Sequence, residues 1–401
     1  MREPIRQYDE HPEHLSYLDS VRGLAVLWVM FFHYINQRFH EHSMAKLASF
    51  VFNGETAIFL FVLSGFVLSY KYIVLDHELD IRKFYIQRFL RFWPAFFVAV
   101  SINALYQYRH DLSIHNLTDQ FLFNKGQFWE EASLFRYSPG FERTPQYYLP
   151  GWALVVILSM SFLLPFMIAL AHKSWRYLPW MMLAFTLIGI NMGNKYVYHI
   201  HFALGVLISC WFVRISSGNL RKLRIYKYHH LLLGLAVMLF SMRQLGRINR
   251  IEIYGPWYKY WIQTFLGIDF SFYSAIASLI FLIAIIDSPR VRRLLSNSSL
   301  HFLGRISYCL YLMHWVVVVA IFDNWNLIAP LFPNTISAVC IMMVVCTAVS
   351  IALATVLHYT VELPSIRFSK RVTSKLKPSL IIKKEAPPVP HKHITEKIKA
   401  G

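Results

Sequence analysis

Arg22 and His33 lie in one apolar segment, residues 18–35, with ten residues between them. An ionisable side chain in an apolar span is costly and is by default a functional candidate. Eleven helical steps of about 100° end roughly 20° past whole turns, so both side chains leave the same face, about 16 Å apart along the axis. Such a helix presents a fixed cation near one membrane surface and a titratable base near the other. A second cationic pair, Arg88 and Arg91, stands three residues apart at the expected mouth of another apolar segment. Two guanidiniums on one face suit a phosphate or pyrophosphate. Plainer readings exist for both pairs. Arg22 can snorkel with His33 marking the interface, and Arg88 and Arg91 can anchor the span beside Arg82 and Lys83.

Further polar residues punctuate the other apolar segments. Ser64 and Gly65 form a small surface where a backbone or a ligand can approach closely. Ser307, Tyr311 and His314 are spaced four and three, which makes one polar stripe on a helix. His314 falls near mid-span, where an imidazole needs a neighbouring helix or a wet cavity. Glu362 ends the last apolar segment and is a candidate partner for Arg22, Arg88 or Arg91, or a plain helix-terminal carboxylate. His199 and His201 open another segment at the depth of His33 and are candidate acceptor contacts or interface residues. The cysteines Cys210, Cys309, Cys340 and Cys346 all fall in apolar segments without metal-ligand spacing. They read as small buried hydrophobes, and no metal site is expected.

The elements that carry these residues follow from composition. Of 401 residues, 56% are hydrophobic and 15% charged, with a mean hydropathy of +0.40. Soluble domains carry about 25% charged residues, so the expectation is an all-α, polytopic membrane helix bundle of about ten transmembrane helices. The segments are 18–35, 56–74, 89–106, 149–171, 176–193, 197–214, 230–246, 265–287, 301–322 and 335–359. Lys and Arg concentrate in the N-terminus, alternate loops and the tail, which places both termini in the cytoplasm. The net charge of +18 is then an orientation signal and a contact with anionic membrane lipids, rather than a nucleic-acid surface. Residues 1–16 read as a cytoplasmic N-terminal segment without a cleavable signal, 17–368 as the transmembrane domain, and 369–401 as a basic disordered cytoplasmic tail. The long external loop, residues 107–148, reads as a re-entrant or folded lid. No internal repeat supports a transporter of inverted-repeat design.

Four stretches together resemble the acyltransferase-3 family of integral membrane O-acyltransferases. They are Leu18-Asp19-Ser20-Val21-Arg22-Gly23-Leu24-Ala25 through His33, the Phe-Val-Leu-Ser-Gly run at 61–65, and Arg88-Phe89-Leu90-Arg91 before Pro94. The last is Ile306-Ser307-Tyr308 with Tyr311, Leu312 and His314, closed by Glu362-Leu363-Pro364. The resemblance spans about residues 17–371. It implies transfer of an acyl group, often acetyl, from cytoplasmic acyl-CoA (acetyl-CoA) to a hydroxyl. The implied acceptor is a surface glycan, lipid-linked sugar or other exported molecule, and the implied location is the bacterial inner membrane. His33 and Arg22 would be the essential pair, with Arg88 and Arg91 the other basic motif, here assigned to the donor phosphates. One departure stands out: the family commonly has Trp-Ser-Leu-x-x-Glu where this chain has Trp152-Ala153-Leu154-Val155-Val156-Ile157. Ile157 leaves the fourth span without its acidic residue, and Glu55 is the candidate substitute. The alternative reading is a non-enzymatic transporter of an acyl donor or glycan, with the same residues lining a path.

Overall fold

The structure, a computed structural model, describes residues 15–38, 48, 51–110, 127–134, 147–192, 198–214, 229–249 and 271–383. The expected tail beyond 383, the N-terminal residues 1–14 and much of the long loop lie outside the described residues.

Each apolar segment forms a helix. These are α1 (Ser16–Arg38), α2 (Thr56–Ile73), α3 (Ile81–Gln107), α4 (Gly151–Lys173), α5 (Tyr177–Met192), α6 (Tyr198–Arg214), α7 (His229–Asn249), α8 (Ser271–Asp287), α9 (Ser298–Asp323) and α10 (Thr335–Leu357). A π-helical turn, His358–Glu362, joins α10 to a final helix α11 (Leu363–Ser374). Six of the helical stretches are long and apolar enough to cross a membrane: Ser16–Gln37, Thr56–Ile73, Ile81–Gln107, Gly151–Lys173, Ser298–Asp323 and Thr335–Ser374. Helices satisfy their own backbone polar groups, which is why an apolar medium selects them. Among the described residues the sheet content is two short strands, β1 (Leu79–Asp80) and β2 (Ile381–Ile382), paired antiparallel.

The helices pack through small residues. A Cβ added to Gly23 would lie 2.8 Å from the backbone nitrogen of Gly304, and one added to Gly304 would collide with the Asp19 carbonyl. α1 and α9 therefore touch backbone to backbone, and they run parallel: Arg22 meets Gly304 and Ser307, while His33 meets His314 and Trp315. We call these the arginine end and the histidine end. α2 and α6 touch in the same way, Gly65 against Phe202 and Gly205 against Val62. They are pinned nearer the arginine end by Ser69 donating to Ser209 at 2.8 Å. α10 runs antiparallel to α1, since Tyr34 donates to the Val339 carbonyl at one end and Glu362 reaches Cys309 at the other.

α3 corrects an expectation. The sequence reading starts this span at 89, with Arg88 and Arg91 at its mouth. The helix begins at Ile81, where the Asp80 side chain accepts from the Lys83 N–H at 3.1 Å. That cap satisfies an orphan donor of the first turn and sets the start. Arg91 is thus ten residues, roughly 15 Å, along the helix.

The α1–α9 contact predicts the outcome of two substitutions. Gly304→Val should force the helices apart and cost more than about 3 kcal/mol, beyond ordinary overpacking, because backbone cannot yield. Gly234→Ala in α7, where an added Cβ meets nothing within 4 Å, should change stability by no more than about 1 kcal/mol. Thermal unfolding of both variants in detergent measures the difference.

Candidate active site

Arg22 is tied on three sides. Its Nε donates to Ser307 Oγ at 2.8 Å, and its Nη2 donates to the Gly304 carbonyl at 3.0 Å. The same nitrogen pairs with Asp19 Oδ1 at 3.0 Å, one helical turn earlier. Asp19 is thus the carboxylate of Arg22. The sequence reading missed it, although i,i+3 spacing in one helix was the available signal.

Arg88 and Arg91 are in the opposite condition. Both are half-buried, and neither makes a hydrogen bond or ion pair with another described residue. Their contacts are ring faces: Arg88 lies 5.3 Å from the Phe84 ring centre and Arg91 6.0 Å from that of Phe92. Arg22, Arg88 and Arg91 lie within electrostatic reach of one another.

All three guanidiniums line one cavity of about 150 Å³. Ser64, Ser307 and Tyr311 share its wall, and the rest is largely apolar, with Leu60, Phe61, Leu154 and Ile157 among it. Leu18, Arg22 and Val26 contribute one face of α1; Ala57, Phe61, Ser64 and Leu68 contribute one face of α2. On α2 that face runs over eleven helical steps, about 16 Å. Ser64 and Gly65 divide their expected duty: Gly65 meets α6, and Ser64 faces the cavity.

The histidines stand apart from this cavity. His33 is half-buried, its ring centre 5.4 Å from that of His314 and 5.4 Å from that of Trp315. Its nitrogens make no hydrogen bond to another described residue. His314 is fully buried, and its Nδ1 is 2.6 Å from the Tyr311 carbonyl. His201 is buried too, lies off the cavity wall, and has no partner for either ring nitrogen among the described residues. His199 Nε2 is 3.0 Å from Ser159 Oγ.

Between the two regions lies Tyr311. Its hydroxyl donates to the Pro150 carbonyl at 2.6 Å, and its own carbonyl accepts the Tyr148 hydroxyl at 2.7 Å. The expected lid accounts for this. The short helix Gln127–Ala132 packs on α3, with Trp93 Nε1 donating to the Ala132 carbonyl at 3.1 Å. Trp93 is twelve residues into α3, about 18 Å, so the described part of the loop re-enters the bundle. The buried Glu131 carboxylate accepts from the backbone N–H groups of Tyr147 and Tyr148. Residues 111–126 and 135–146 of the loop lie outside the described residues.

Glu362 corrects another expectation. It ion-pairs with none of the three arginines. Its Oε2 is 2.7 Å from His358 Nδ1 and accepts from Cys309 Sγ at 3.1 Å. The π turn between His358 and Glu362 brings the two side chains together. Cys309, expected as a buried hydrophobe, is buried but spends its thiol proton here. Cys309, His358 and Glu362 carry metal-type ligands close together. A spacing of 2.7 Å is nonetheless that of a hydrogen bond, whereas two ligands on a tetrahedral zinc sit about 3.4 Å apart. Glu55, the candidate substitute for the missing fourth-span carboxylate, accepts from Ser274 at 2.7 Å and does not line the cavity.

The described helices form a bundle with a cationic cavity towards one end and a histidine pair towards the other. The chain belongs to the acyltransferase-3 family: the family's profile, described as an acyltransferase domain, matches residues 15–355. It is an integral membrane acyltransferase by that membership. No curated protein and no solved structure gives a significant match.

The Cys309–Glu362–His358 lock yields a stability test. Glu362→Ala leaves two buried donors, His358 Nδ1 and Cys309 Sγ, without their acceptor and should cost about 2–4 kcal/mol. Cys309→Ser keeps a donor to the carboxylate and should cost less than about 1.5 kcal/mol. Comparing melting temperatures of the two purified variants decides it.

Proposed function

We propose that the chain moves an acyl group, acetyl in the simplest case, from cytoplasmic acyl-CoA to a hydroxyl of an exported acceptor. A surface glycan or lipid-linked sugar is the acceptor class, and the setting is a bacterial inner membrane crossed ten times with both termini in the cytoplasm. The observation that carries this reading is that Arg88 and Arg91, on the wall of a largely apolar cavity, have no hydrogen-bond or ion-pair partner among the described residues. Buried cations are costly until paired. Phosphate groups with a slender apolar arm fit both requirements, because guanidiniums bind phosphate oxygens bidentately.

In this reading the arginine end faces the cytoplasm. The nucleotide of acyl-CoA remains outside, its phosphates drawn to Arg88 and Arg91. The pantetheine arm enters along the α1 and α2 faces towards the histidine end. His33 takes the proton of the acceptor hydroxyl as its oxygen attacks the thioester carbon. The C–S bond breaks, the thiolate of CoA leaves, and His33 returns the proton to that sulfur. The products are an ester and free CoA. Arg22, held by Ser307, Gly304 and Asp19, fixes α1 against α9.

Purified protein with radiolabelled acetyl-CoA tests the chemistry. Wild type should transfer or hydrolyse acetyl at least about 100-fold faster than His33→Ala, the usual scale of general-base catalysis. Equal slow rates would remove the catalytic role. Arg88→Ala with Arg91→Ala should weaken CoA binding by about 100-fold or more, at roughly 1.5–3 kcal/mol per lost charged hydrogen bond; unchanged affinity would place the nucleotide elsewhere.

A further inference from the structure

The buried imidazole of His314 has one nitrogen assigned and one orphaned. A backbone carbonyl can only accept, so Nδ1, 2.6 Å from the Tyr311 carbonyl, carries the proton. Nε2 is then a lone pair. It is buried and has no hydrogen-bond partner among the described residues. The neighbouring imidazole is His33, centre to centre 5.4 Å and tilted by 30°. The two nitrogens are not hydrogen-bonded in this arrangement, but at that centre-to-centre spacing a turn of the His33 ring brings one of its nitrogens within hydrogen-bond reach of Nε2.

We propose that His314 is the positioning residue of His33: once the half-buried His33 ring turns towards it, Nε2 of His314 accepts an N–H of His33 and so holds the other His33 nitrogen unprotonated. The hydrogen bonds then run in one direction, from His33 N–H to His314 Nε2 and from His314 Nδ1–H to the Tyr311 carbonyl. Each donor polarises the next. The free lone pair of His33 is left for the incoming hydroxyl, and its tautomer is set by the bond its other nitrogen makes. When His33 takes the proton, the charge arises on a ring whose N–H already has an acceptor, and no atom of His314 changes its bonding. Two parallel helices locked at Gly23 and Gly304 keep the rings level. The proposal deepens the acyl-transfer reading and rests on it for its consequence for rate.

Two substitutions separate this role from packing. His314→Leu keeps volume in an apolar setting and removes the acceptor; His314→Gln keeps an amide oxygen able to accept from His33. His314→Leu should lower kcat by about 100-fold with KM for acetyl-CoA unchanged, and His314→Gln should restore most of that loss. Histidine-labelled ¹⁵N NMR, assigned with His33→Ala, reads the His33 tautomer without any reaction. It should show one tautomer in wild type and His314→Gln, and a mixture in His314→Leu. Leu and Gln variants alike in rate and tautomer would overturn the proposal, as would a wild-type His33 that already shows a tautomer mixture. A single wild-type tautomer that mixes in His314→Leu, with no acyl transfer by wild type, supports the positioning role and strikes the acyl-transfer reading alone.

Discussion

A guanidinium inside an apolar bundle is costly until it is paired, and the way Arg22 is paired organises everything around it. Its donors reach Ser307 and the Gly304 carbonyl on α9, and Asp19 supplies the countercharge from its own helix. Those distances exist only because Gly23 and Gly304 let two backbones touch. The contact sets α1 and α9 parallel and in register. Eleven residues further along α1, His33 therefore meets His314 and Trp315. The cation at one end is, in structural terms, what aligns the imidazoles at the other.

Arg88 and Arg91 contrast with Arg22. All three line one cavity, yet only Arg22 is neutralised by a carboxylate of the described residues. Phenyl faces supply part of the missing stabilisation, since a cation within about 6 Å of a ring centre is attracted to it. The remainder is an electrostatic deficit that the described residues leave unmet. Ile157 sharpens this. An acidic residue on that wall could pair with the arginines, and an isoleucine cannot.

The helices and the shared face of Arg22 and His33 were legible because spacing and hydropathy are local properties of the chain. The extent of α3 was not: charged residues at 82, 83, 88 and 91 lower hydropathy without lowering helix propensity, so the Asp80 cap marks the true start. The partner of Glu362 was hidden for a different reason. An i,i+4 His–Glu pair is visible in sequence, but a π turn and a cysteine 53 positions away complete the contact. Likewise the single polar stripe Ser307–Tyr311–His314 proved to serve three neighbours: Arg22, Pro150 and His33. Periodicity tells which residues share a face; it is silent on which helix that face meets.

Tyr311 joins the two halves of the site. Its side chain lines the cavity, its hydroxyl holds Pro150, and its carbonyl receives both Tyr148 and His314. The residues that reach it are placed by Glu131, whose carboxylate gathers the two N–H groups before α4. Backbone groups this deep in an apolar bundle have no water to fall back on, so their donors and acceptors must be met within the protein. The re-entrant segment meets them with a carboxylate and two tyrosines. It thereby places a polar partition between the arginine cavity and the histidine pair. The carbonyl of Tyr311 belongs to that partition, and there it also fixes the proton on His314 Nδ1.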